Sequence, residues 1–341
     1  MCDKERKDWI DSVKAICMLG VYLLHSEAYY GTGGVSYGYA LTPFYVNAFF
    51  FVSGYLFLGK RTGSNMSIFI NRGGVKRDLA NVWYRLVVPT LLFSSLLYLP
   101  KMLFQGADVD MGHYLFEVWG GISSWFTSAL AVAQMILILL LPLGFRSSRA
   151  YVLVTFVLSG LGLYLNTGPV SNDAADYFPW FYKTGLVYVF VMVAGGIYCR
   201  YEEKMDSLMT RRGWPLVGAV YAGILISTWE THSIKAIGIS GHCNLSGLLT
   251  LICGIALLIM ITKRMKRINW LAFIGKNSIV FYFFSGAIPA VCSAIIGRAG
   301  FEKNYILTII VAILSITISS VIAKVVERYM PFLTDLRKLK Q

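Results

Sequence analysis

Asp11-Ser12-Val13-Lys14-Ala15-Ile16-Cys17-Met18-Leu19-Gly20-Val21-Tyr22-Leu23-Leu24-His25 opens the first long apolar run of the chain, and its reading decides the fold. The run is apolar except for an acid and a lysine at its start and a histidine near its far end. Lys14 and His25 are separated by almost three helical turns, so a helix projects both from one face, about 16 Å apart along its axis. Asp11 lies one turn before Lys14 on roughly the same face. Hydrocarbon penalises ionisable groups, so their presence inside a span is a functional hypothesis by default. The competing structural role is that Lys14 snorkels to the headgroups and His25 makes a packing contact.

Composition sets the class. Hydrophobic residues make up 56% of the 341, charged residues only 14%, and the mean hydropathy is +0.61. A soluble domain carries about a quarter charged residues. The chain is therefore expected to be an all-α polytopic membrane protein. A net charge of +13 admits a nucleic-acid partner, but the distribution of that charge argues for membrane topology instead and excludes nucleic acid as the expected partner. The six cysteines form no CxxC pair and have no zinc spacing. They read as small hydrophobes. His113, His232 and His242 lack ligand spacing, so no metal is expected. The basic N-terminus leads into a long run with no small-residue cleavage site, which reads as an uncleaved first span.

A bilayer requires about 20 apolar residues per helix. Ten such spans are predicted: Trp9 to Tyr30, Thr42 to Gly59, Trp83 to Phe104, Ser124 to Leu143, Ala150 to Asn166, Thr184 to Cys199, Trp214 to Trp229, Asn244 to Thr262, Trp270 to Ile296 and Tyr305 to Val326. With ten transmembrane helices both termini share a side. Of the 31 lysines and arginines, 23 then fall on that side. The opposite loops hold only Lys101, Lys183, Lys235, Arg298 and Lys303, while Lys14, Lys276 and Lys324 lie within spans. The positive-inside rule makes both termini cytoplasmic. No repeat or linker divides the chain, so residues 1–341 are read as one integral membrane domain with no fused soluble domain.

Three groups of residues bear on chemistry. Histidine alone has an unperturbed pKa near neutral, which suits His25 to general-base work. The segment Asn71-Arg72-Gly73-Gly74-Val75-Lys76-Arg77-Asp78, followed by Arg85 and Pro89, is the densest basic stretch. Arg72, Lys76, Arg77 and Arg85 form a candidate site for a phosphorylated cytosolic ligand, and an anchor on anionic lipid is the alternative. In the second span, Asn47 and Ser53 require hydrogen-bond partners, and Ser53 and Gly54 permit close helix approach.

These segments, in this order, resemble the acyltransferase-3 family of bacterial integral membrane acyltransferases, in its fucose 4-O-acetylase-like branch. The resemblance rests on Asp11-x-x-Lys14 with His25, on Phe49-Phe50-Phe51-Val52-Ser53-Gly54-Tyr55-Leu56 and on the basic segment ending Arg85-x-x-x-Pro89. It rests further on Ser124-Trp125-Phe126 and on Ile274-Gly275-Lys276-Asn277-Ser278-Ile279 with Glu327-Arg328. It implies a ten-helix enzyme of the bacterial cytoplasmic membrane. Such an enzyme takes acetyl from cytosolic acetyl-CoA and passes it to a hydroxyl of an exported glycan or lipid-linked saccharide. By that analogy His25 is catalytic, Lys14, with Asp11 as its acidic partner, takes the place of the family's basic residue, and the basic segment holds the CoA phosphates. Asn47, Ser53, Glu27 and Trp125 are the candidate substrate contacts. Members often carry a histidine where this chain has Ser285. The rival readings are a proton-coupled small-molecule transporter using Lys14 and His25, a lipid-linked-sugar glycosyltransferase using Glu27, and a non-enzymatic sensor.

Overall fold

The computed structural model describes residues 7–30, 37–41, 43–59, 74–106, 108–166, 176, 178–209, 213–231, 233–235, 237–238 and 243–340. Among them every regular element is helical and no strand occurs. The principal helices are α1 (Asp8–Tyr30), α2 (Tyr45–Gly59), α3 (Val75–Phe104), α4 (Trp125–Leu139), α5 (Ser148–Leu165), α6 (Tyr182–Arg200), α7 (Trp214–Thr228), α8 (Leu245–Arg264), α9 (Asn269–Lys276), α10 (Ser278–Phe284), α11 (Ala287–Arg298) and α12 (Tyr305–Tyr329).

Six stretches are long and apolar enough to cross a bilayer: Val75–Phe104, Met111–Leu139, Ser148–Leu165, Tyr182–Arg200, Leu245–Arg264 and Tyr305–Tyr329. A seventh is added if α10 and α11, bent by 44° at their junction, form one span. The other predicted spans are helical but fall short of that test. Helices α2 and α7 have 15 residues each, about 22 Å of helix against a hydrocarbon core of about 30 Å. Helix α1 has the length, at 23 residues, but carries Asp8, Asp11 and Lys14 in its first turns. Outward-facing apolar residues on the long helices, such as Leu245, Ile252, Ile306 and Ile313, are exposed. In water such faces would be costly, whereas lipid accepts them.

The described chain forms two compact units. One comprises Met1–Phe49, Glu203–Ala236 and Asn244–Tyr329; the other comprises Phe50–Glu202, Ile237–Cys243 and Met330–Gln341. In the first unit α1 is the central helix and packs against α8, α9, α10, α11 and α12. Its contacts climb in order. Asp8 pairs with Arg267 at 3.4 Å, and Asp11 meets Gly275. The Tyr22 hydroxyl donates to the Phe281 carbonyl at 2.8 Å and shares a second hydrogen bond, at 2.6 Å, with the Ser319 hydroxyl. Helices α9 and α10 therefore run alongside α1, and α12 runs against it. Gly275 has to be glycine, because a Cβ there would sit 2.1 Å from the Asp11 carbonyl oxygen.

The predicted span Trp270 to Ile296 is not one straight helix. It breaks after Lys276 and bends again between Phe284 and Ala287. Pro289 cannot donate to the Ser285 carbonyl one turn back, which accounts for the second break. Ser285 is buried there, with its hydroxyl donating to the Tyr282 carbonyl at 2.7 Å.

In the second unit α6 packs against α5 and α4, and the end of α2 lies on α6 backbone to backbone. A Cβ at Gly54 would fall 1.8 Å from the Met192 oxygen, and one at Gly195 would fall 2.0 Å from the Phe51 oxygen. The close approach expected of Gly54 is therefore present. Phe50 stacks on Tyr188 at 3.6 Å between ring centroids. Helix α3 begins at Val75, eight residues before the predicted start at Trp83, so Lys76 and Arg77 stand on its first turns. A π-helical turn, Trp83–Val87, sits where Pro89 removes the bond to the Arg85 carbonyl.

Because no side chain can yield at these backbone contacts, Gly275→Ala and Gly54→Ala should each lower the melting temperature in detergent by several degrees. Gly223→Ala, on a helix face with nothing within 4 Å, should leave melting unchanged or raise it slightly.

Candidate active site

Helix α1 runs unbroken from Asp8 to Tyr30, which places Lys14 and His25 on one helix face at the spacing read from the sequence. Asp11 is buried and Lys14 half-buried, and each is engaged by neighbouring groups. His25 is also half-buried. Among the described residues no hydrogen bond or ion pair involves its ring, so both imidazole nitrogens remain uncommitted. One turn before it Tyr22 is fully buried, its hydroxyl tied to α10 and α12. The neighbouring Ser26 is fully buried, and its hydroxyl has no protein partner among the described residues. The structure thus couples a rigidly held face of α1 to an imidazole free to take or give a proton.

Below this face lies a second polar group. Lys276 forms an ion pair with Glu327, whose other carboxylate oxygen accepts from Asn277 Nδ2 at 3.3 Å. Gly275, adjacent to that pair, is the residue that touches Asp11. At the other end of α1, Glu27 accepts from the Gly38 amide at 2.9 Å and anchors the short helix Tyr37–Leu41. Asn47 is fully buried and donates to the Pro43 carbonyl at 2.9 Å. Two of the predicted substrate contacts thus hold local backbone.

The second unit carries Ser53, Lys76, Arg77, Arg85 and Trp125. Arg72 lies outside the described residues. Ser53 is half-buried, and Trp125 packs edge-on against Phe126 at 6.1 Å. Lys76 and Arg77 are both exposed on the first turns of α3. Arg85 Nε donates to Asp335 Oδ2 at 3.1 Å, leaving its two terminal nitrogens uncommitted among the described residues. The C-terminal turns Pro331–Leu333 and Leu336–Lys340 supply this acid and a second arginine. Arg337 donates from Nε and Nη2 to the two oxygens of Asp335, at 2.8 and 2.7 Å, and from Nη1 to Asn81 at 2.5 Å. One buried carboxylate thus aligns two guanidinium groups beside the basic turns of α3. The Arg337 guanidinium, with help from Arg85, holds the Asp335 carboxyl well below its ordinary value, at about 2.

A family model described as an acyltransferase domain matches residues 7–325. The chain belongs to the acyltransferase-3 family. No curated protein and no solved structure matches it. For this acyltransferase-3 member, membership brings membrane acyltransferase activity, and the apolar helices agree with a multi-pass membrane protein. The matched region contains α1 with Lys14 and His25, the first turns of α3 and the Lys276–Glu327 neighbourhood up to residue 325. Asp335 and Arg337 lie beyond it. Among the described residues no group of three histidine, cysteine or acidic side chains is arranged to hold a metal.

Sequence reasoning missed Tyr22, Ser26, Asp335 and Arg337. Tyr22 and Ser26 had a signal, since both are polar and lie within one turn of His25. Asp335 also had one, as the last acid before a basic C-terminal stretch.

The Asp335 carboxyl titrates lower in the folded chain than in the unfolded one. Its pairing therefore stabilises the fold at neutral pH, and this contribution fades as pH falls from about 4 toward 2. Asp335→Asn should cost about 1–2 kcal/mol at pH 7. The loss should shrink as melting is measured at progressively lower pH.

Proposed function

We propose that this protein is a membrane O-acetyltransferase that moves acetyl from cytosolic acetyl-CoA to a hydroxyl of an exported or cell-surface glycan, free or lipid-linked. Its place is the bacterial cytoplasmic membrane, with ten spans and both termini cytoplasmic. The fucose 4-O-acetylase-like branch belongs to the same proposal. The observation that carries it is the acyltransferase match across residues 7–325, whose N-terminal helix presents an uncommitted imidazole at His25.

In this reading His25 accepts the proton of the acceptor hydroxyl as its oxygen attacks the thioester carbonyl. The carbon–sulfur bond then breaks, and the imidazolium returns the proton to the departing CoA thiolate. Lys14 is too distant along α1 to stabilise the oxyanion, so its role is to guide the donor together with Asp11. Lys76, Arg77 and Arg85, with Arg72, hold the donor's phosphates. Such remote contacts bind ground state and transition state alike.

His25→Ala should abolish acetyl transfer, measured with radiolabelled acetyl-CoA in reconstituted membranes, and leave the melting temperature near wild type. Among the described residues no hydrogen-bond partner is stranded by the change. Retention of more than about a tenth of the activity would exclude the base role. Lys76→Gln with Arg77→Gln should raise the KM for acetyl-CoA while leaving kcat close to wild type. An unchanged KM would leave these residues as topological anchors only.

A further inference from the structure

The second unit contains an open, apolar groove of about 750 Å³ between α5 and α6. Leu153 and Phe156 of α5 and Phe190 and Val193 of α6 form its walls, and Leu58 of α2 closes its floor beside Gly196. A Cβ at Gly196 would meet Leu58 at 2.4 Å, so this glycine lets Leu58 seat there. Leu153 and Phe156 are exposed. One end of the groove differs from the rest. Arg149, in the first turn of α5, and Arg200, the last residue of α6, both line that end, next to Tyr201. The Arg200 guanidinium lies 5.6 Å from the Tyr201 ring centroid. Neither arginine has an acidic partner among the described residues.

This layout is that of a phospholipid: a phosphate at the helix ends and a chain running along the helices. Arginine offers paired N–H donors to phosphate oxygens. A basic pocket at the ends of membrane helices recognises anionic headgroups, with about 1 kcal/mol per arginine near the surface, or a few-fold each in affinity. We propose that the groove binds one anionic glycerophospholipid, its phosphate on Arg149 and Arg200 and an acyl chain against Phe156 and Phe190. The occupant belongs to the leaflet on the arginine side. This site is separate from the acetyl-transfer reading and stands whether or not that reading does.

The test is native mass spectrometry of the full chain after delipidation and titration with dioleoyl-phosphatidylglycerol or dioleoyl-phosphatidylcholine. One phosphatidylglycerol should be retained with about tenfold preference. Arg149→Gln with Arg200→Gln should remove that preference. Leu153→Trp, a change at an exposed residue that fills the groove, should lower retention of both lipids by a similar factor. Equal retention of the two lipids by the wild type would overturn the proposal, as would undiminished phosphatidylglycerol binding by either variant. Phosphatidylglycerol should also raise the wild-type melting temperature; an equal rise with inorganic phosphate would assign the arginines to a free anion and overturn the lipid site.

Discussion

Hydrocarbon offers no water to a stranded polar group, and this constraint organises the molecule around the bond from Tyr22. Its hydroxyl reaches the Phe281 carbonyl and Ser319 at once, tying α1 to two further helices of its unit at mid-height. The Phe281 carbonyl lies close to the break between α10 and α11, where a proline interrupts the backbone ladder. A tyrosine is suited to the task because its ring fills the apolar space while its tip satisfies a polar group. With Asp11 against Gly275 at the lower end, α1 is held at two heights. His25, one turn beyond Tyr22, inherits that rigidity without spending its own ring nitrogens.

Small residues solve a second problem. Lipid tails are as apolar as leucine, so helices in a bilayer gain little from burying hydrophobic area against one another. Close van der Waals packing has to supply the cohesion. Gly54, Gly195 and Gly275 place backbone against backbone, and Ser159 adds bonds to the Leu186 and Val187 carbonyls of α6. The same small residues shape empty space. Gly196 seats Leu58, and the groove opens where larger side chains retreat.

The basic segment shows how one acid can order several cations. Arg85 and Arg337 would repel each other if brought together alone. Asp335 lies between them and accepts from both, which fixes their direction and leaves nitrogens of Arg85 for another anion. The π-helical turn around Arg85, forced by Pro89, turns that side chain relative to a regular helix. Proline, acid and arginine together make an arrangement that a count of charges could not reveal.

Much of this was legible in the chain itself. Apolar runs located every principal helix, because hydrophobicity over 15 to 25 residues is a local property. The interval from Lys14 to His25 placed both on one face of α1, because helical periodicity is local too. The family was legible from short motifs in order. Other matters were decided by tertiary structure. Glu27 and Asn47 read as substrate contacts, and the structure adds that each also bonds nearby backbone, at Gly38 and Pro43, since a buried polar group takes partners that lie close in space. Arg85 read as one member of a local phosphate-binding segment, and the structure shows it bonded to an acid 250 positions away. The span ending at Ile296 read as continuous, while Pro289 and its neighbours bend it. Distant pairing and the outcome of a break depend on which helices become neighbours, and that is set by packing across the whole unit rather than by any window of sequence.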